Sequence, residues 1–85
     1  MAYVVLTERA RQDLKALPLP IIIRVRRLLN VRLPNWPNVS GAKPLKGDLS
    51  GSFRLRTGDY RVQFHVVGDE IVVDRIGHRD GFYED

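Results

Sequence analysis

Eighty-five residues suffice for one domain, residues 1–85, and are too few for two. No cysteine is present, which excludes disulfide staples and cysteine-ligated zinc, and His65 and His78 with no ligand cluster around them leave neither a metal site nor a bound cofactor to expect. The 14 Lys+Arg outweigh the 10 Asp+Glu to give +4 at pH 7, and eleven of those cations are Arg, whose planar fork suits phosphate, so the excess points to a polyanionic partner.

The chain opens MAYVVLTERA, without the basic and apolar regions of a secretory signal. Its longest apolar run, Leu17 to Ile23, is broken by Pro18 and Pro20, far short of the ~20 residues of a membrane span. The expected compartment is the cytoplasm, with no membrane partner.

Met1 to Leu6 is apolar and β-rich and predicts a strand. Thr7 is a good helix N-cap, with Glu8 favourable at the positive end of the dipole. Ala10, Leu14 and Leu17 then recur at helical spacing, until Pro18 stops the helix. Pro20 suits the first turn of a second helix, whose stripe of Ile21, Ile22, Val25, Leu28 and Leu29 is backed by Arg24, Arg26, Arg27 and Arg32 on its outer side. So short a link between the two helices predicts an antiparallel hairpin. Residues 34–41 read as a loop, and Trp36 within it as an anchor to the core.

After Gly47 the period changes to two. Phe53 and Leu55 alternate with Arg54 and Arg56; Tyr60, Val62 and Phe64 alternate with Arg61, Gln63 and His65. Thr57-Gly58-Asp59 and Gly68-Asp69-Glu70 supply turns, and residues 71–77 make a further strand, so the three runs predict an antiparallel meander. The fold class is α+β: an N-terminal strand, then a helix hairpin packed on one face of a twisted antiparallel sheet. Period alone leaves the last strand's faces unassigned, because Arg75 shares parity with Ile71 and Val73 while Asp74 and His78 share it with Val72 and Ile76.

Parity puts Arg54, Arg56 and Arg61 on one surface if their strands pair through the Gly58 turn. Three guanidinium groups there repel one another unless an anion, a phosphate or an acidic segment, sits among them. The same pattern also suits a face that is charged simply to stay soluble.

Lys43-Pro-Leu-Lys-Gly47, Phe53-Arg-Leu-Arg-Thr-Gly-Asp-Tyr-Arg-Val62 and Ile76-Gly-His-Arg79 followed by Tyr83 closely resemble the RelE/ParE superfamily of bacterial toxins. The helical opening, Ala10 to Leu14 and Leu17-Pro18, is similar to the same family, so the likeness spans nearly the whole chain. It implies the β-α-α-β-β-β fold read above and the toxin role in a toxin–antitoxin pair. RelE-like members cleave mRNA in the ribosomal A site; ParE-like members poison DNA gyrase; both are normally held inactive by a cognate antitoxin. The first activity implies the ribosome and mRNA as further partners. A third reading is a catalytically inactive antitoxin-binding domain.

By this resemblance Arg61 binds the scissile phosphate, Arg54 and Arg56 stabilise the charge that develops on it, and Lys43 and Lys46 join them as phosphate contacts. Arg79 matches a position tied to phosphate contact or leaving-group protonation. Tyr83 matches a tyrosine that some members use as the base for the ribose 2′-OH, with His78 the competing candidate and His65 a more distant third. Cleaving members often carry lysine where this chain has Arg54 and Arg56, and a guanidinium cannot serve as an acid at neutral pH.

Overall fold

The computed structural model describes residues 2–81. The first strand, β1 (Tyr3–Leu6), ends at Thr7, whose extended backbone and side-chain oxygen, accepting the Ala10 N–H at 3.1 Å, open helix α1 (Glu8–Lys15). Glu8 in its first turn and Lys15 in its last both complement the helix dipole. The helix ends before Pro18, since a residue ahead of proline is pushed out of the helical region. Pro18 is itself extended and Pro20 sits in the first turn of α2 (Leu19–Arg27), where its missing N–H costs nothing. A wider π turn over Leu28–Arg32 and a 3₁₀ turn over Leu33–Asn35 extend α2, turning Leu28, Leu29 and Leu33 inward beside Val25. The anticipated stripe is therefore in place, and Arg24, Arg26 and Arg27 are exposed behind it.

The two helices pack on one side of a five-stranded sheet of order β1-β5-β4-β3-β2. Its strands after α2 are β2 (Lys43–Pro44), β3 (Ser52–Thr57), β4 (Tyr60–Val67) and β5 (Glu70–His78). Successive strands from β2 to β5 pair antiparallel, whereas β1 joins the edge of β5 in parallel, from Tyr3↔Glu70 to Leu6↔Val73. The sheet is therefore mixed, because a long crossover through the helices separates β1 from β5 and permits parallel pairing. β2 lies at the opposite edge, a position Pro44 tolerates because it has no N–H to donate.

Two tight turns set the register. Gly58 (φ 62°) and Gly68 (φ 59°) each occupy the first central position, and among the described residues only glycines have positive φ, the pattern of type II′ hairpin turns. Register then puts Phe53, Leu55, Val62 and Phe64 on the helix side, where Leu55, Val62 and Phe64 are buried with Ala10, Leu14, Val25, Leu33, Ile71, Val73 and Ile76. Trp36 packs edge-to-face with Phe53 and Phe64, its ring centroid 4.8 Å and 5.3 Å from theirs, pinning its loop to this core as expected.

One irregularity interrupts the ladder. Gln63 pairs with Arg75 but the next residue, Phe64, pairs with Val73, leaving Asp74 as an extra residue in β5. This β-bulge explains why period two failed there: Val73 and Ile76, three apart, both point into the core. Two side-chain links from α1 support the distorted strand. Thr7 Oγ1 donates to the Asp74 carbonyl at 3.3 Å, and the Ile76 N–H donates to the Asp13 carboxylate at 3.0 Å. No helix among the described residues is long and apolar enough to cross a membrane.

Candidate nucleic-acid interface

The sheet face opposite the helices is organised in cross-strand rows. Lys43, Arg54, Gln63 and Arg75 lie side by side across β2, β3, β4 and β5. Arg56 and Arg61 form the next row, with Gly77 beside them; Ser52, His65, Val72 and Val5 form the row on the other side. Guanidinium groups hold their charge, so the middle of this face is a fixed positive surface. Arg54 and Gln63 at its centre are only 5% and 7% exposed, Arg61 and Arg75 are half-buried, and Arg56 is open to solvent. The neutral Gln63 between Arg54 and Arg75 separates two like charges that would otherwise face each other directly.

Parity in the sequence located Arg54, Arg56 and Arg61 correctly but gave no place to Arg75. The bulge delivers it: without Asp74 as an extra residue, the Ile71–Val73 phase would have turned Arg75 toward the helices. The signal available in the sequence was the spacing of Val73 and Ile76, which suits neither one regular strand face nor the other.

Lys43 and Lys46 meet Arg54 around a cleft of about 90 Å³ that Pro44 and Leu45 complete, so both lysines adjoin the arginine rows. Arg79 follows β5 in a 3₁₀ turn; its backbone N–H donates to the Asp59 carbonyl at 2.8 Å and its exposed side chain lies 3.8 Å from Asp80. His78 is not with the arginines. It pairs with Tyr60 on the helix-side parity, its ring 5.2 Å from the tyrosine ring and perpendicular to it. Its Nδ1 accepts the Asp80 N–H at 3.2 Å. Tyr83 lies outside the described residues.

His65, by contrast, faces the same side as the arginines, and its Nδ1 is 2.7 Å from an Asp74 carboxylate oxygen. Both side chains remain partly open to solvent, at 38% and 28%. Among the described residues no three His, Asp or Glu side chains gather into a metal-binding group.

A small sheet carrying rows of arginine on one face and a helix pair on the other defines the class. Residues 4–81 match the family described as the ParE toxin of the type II toxin–antitoxin system parDE, and the chain belongs to that family. It is a toxin of a type II toxin–antitoxin system, of RelE-like fold. Toxin RelG of Mycobacterium tuberculosis is 35% identical over 79 residues, which cover 91% of this chain and 90% of that one. The toxin–antitoxin complex RelBE2 from the same organism is similar in structure, with a TM-score of 0.83 and 32% identity over 92% of this chain and 98% of the matched one. The isolated E. coli RelE toxin shares the fold, with a TM-score of 0.75 at 18% identity over 92% of this chain and 84% of that one.

Proposed function

We propose that this toxin is an endoribonuclease that cleaves mRNA in the ribosomal A site and so inhibits translation. The observation that supports it most is the register, which gathers Lys43, Arg54, Arg56, Arg61 and Arg75 on the face away from the helices. A phosphodiester backbone laid on those rows meets donors from several strands at once, each a charge-assisted contact.

The reaction is attack of a ribose 2′-oxygen on the adjacent phosphorus. The P–O5′ bond breaks, leaving a cyclic phosphate and a free 5′-hydroxyl. The pentacoordinate transition state carries more negative charge than the ground state, and guanidinium groups already in position stabilise that increment without reorganising. Arg61 holds the scissile phosphate; Arg54 and Arg56 neutralise its equatorial oxygens; Lys43, Lys46 and Arg79 steady the flanking chain. Tyr83 accepts the 2′-OH proton, in line with the resemblance. We assign the base to Tyr83 in preference to His78, which lies on the other parity beside Tyr60 and Asp80.

The natural partner is a cognate antitoxin. The solved relatives include RelBE toxin–antitoxin complexes, and this chain shows a basic sheet face together with Leu19, Ile23 and Val31 exposed on its helical layer. A protein offering acidic and apolar side chains offsets both.

Primer extension on a messenger in a cell-free translation reaction tests the nuclease reading. Wild-type protein yields new 5′ ends only with ribosomes present, and Arg61→Ala lowers their rate by about 10²–10³-fold. Intact messenger from folded wild-type protein overturns the reading. A second reading, gyrase inhibition, is favoured by the ParE description of the matching family, and a supercoiling assay on the same protein decides it.

A further inference from the structure

Among the described residues, the arginine face carries one group suited to moving a proton near neutral pH. Its guanidinium groups keep their protons, Gln63 and Ser52 do not titrate, and Lys43 lies at the sheet edge beyond β3. What remains among the described residues is the imidazole of His65, with Asp74 at its Nδ1.

How the pair comes to exist bears on its role. An uninterrupted β5 would put one side chain on this face where the bulge puts two, Asp74 and Arg75. Bulges cluster beside functional sites because they re-aim side chains in this way. Here the extra residue gives Asp74 to His65 and Arg75 to the arginine row together. A carboxylate at Nδ1 fixes the ring's orientation and assigns that nitrogen the proton it shares, which leaves Nε2 as the working atom. The pair is partly open, so a ligand on this face can reach it.

We infer that His65 is the general acid of the proposed cleavage, donating a proton from Nε2 to the departing 5′-oxygen, with Asp74 as its positioning residue. The inference rests on the nuclease reading above. Along β4, Arg61 and His65 flank Gln63 on the same face, each about 7 Å from it. A phosphodiester lying over Gln63, between Arg54 and Arg75, is then reached by Arg61 from one end and by His65 from the other. In the step the 2′-oxygen bonds to phosphorus and gives its proton to the base, the P–O5′ bond breaks, and O5′ takes the proton from His65. Solvent returns the imidazole and the base to their starting states.

The assay uses two short messengers on ribosomes stalled with the target codon in the A site. One has the natural linkage; the other has sulfur in place of the bridging 5′-oxygen, a leaving group that departs without being protonated. His65→Gln slows single-turnover cleavage of the natural messenger by about 10²-fold or more, leaves its binding unchanged, and cleaves the sulfur-bridged messenger at the wild-type rate. Asp74→Asn shows the same selectivity with a smaller loss. Equal rates for His65→Gln and wild type on the natural messenger overturn the inference, as does an equal slowing on both messengers, which is what a structural role gives. Melting curves establish that each variant is folded. Wild-type protein that cuts neither messenger removes the nuclease reading itself, an outcome distinct from the other two.

Discussion

Asp13 has an unusual task for a residue on an amphipathic helix. β1 stops at Leu6, opposite Val73, so among the described residues no strand lies beside the outer edge of β5 beyond that point. The Ile76 N–H there is taken up by the Asp13 carboxylate instead. Nothing local in the sequence marks Asp13 as a side chain that reaches a strand sixty-three residues away. Removing it leaves a half-buried donor without an acceptor, so Asp13→Ala lowers stability by about 1–3 kcal/mol, measured by denaturant unfolding. Phe64 gives a reference for that loss. It is fully buried against Trp36 and Phe53, and Phe64→Ala costs about 3–5 kcal/mol by the same measurement.

The strands divide by how faithfully they keep period two. β3 and β4 alternate without interruption as far as their pairing with each other goes, so the arginine face was legible from residues 53 to 65 alone. The apolar stripe of α2 was equally plain, because each of its members meets the sheet or the helix layer. β5 was opaque for the reason already given, and with it went Arg75 and the Asp74–His65 pair. The bulge makes a test at this level possible. Deleting Asp74 leaves Val73-Arg75-Ile76 in simple alternation, with Val73 and Ile76 still inward and Arg75 still on the arginine face. The deleted protein folds, with a stability loss smaller than that of Phe64→Ala, and loses only the chemistry that needs a fixed imidazole; unfolding curves and the natural-messenger assay measure the two effects. The β3–β4 turn allows less latitude. A methyl group on Gly58 would lie 2.8 Å from the Arg24 guanidinium in a left-handed conformation, so Gly58→Ala costs about 1–2 kcal/mol from the backbone alone, read from the shift in the unfolding midpoint.

For the molecule as a whole, fold and family were legible because the likeness ran from the first helix to Tyr83, whereas the parallel seat of β1 depends on strands far apart in the chain and leaves no local trace. A small basic toxin with a thin core gains from its partner: the antitoxin complex melts well above the isolated chain, as mass action requires of any ligand that binds the folded state alone, and calorimetry on both forms measures the gap. The seat of β1 also governs when the toxin comes into being. Tyr3 and its partner Glu70 lie far apart along the chain, so a nascent chain cannot seat β1 until β5 has been synthesised, and closure across so long a span is slow. Until then α1 lacks β5, the strand it packs on most, whereas Arg54, Arg56 and Arg61 pair within the β3–β4 hairpin and do not wait for it. Of the five strands, β1 is synthesised before the others and is paired last, because its neighbour in the sheet is β5.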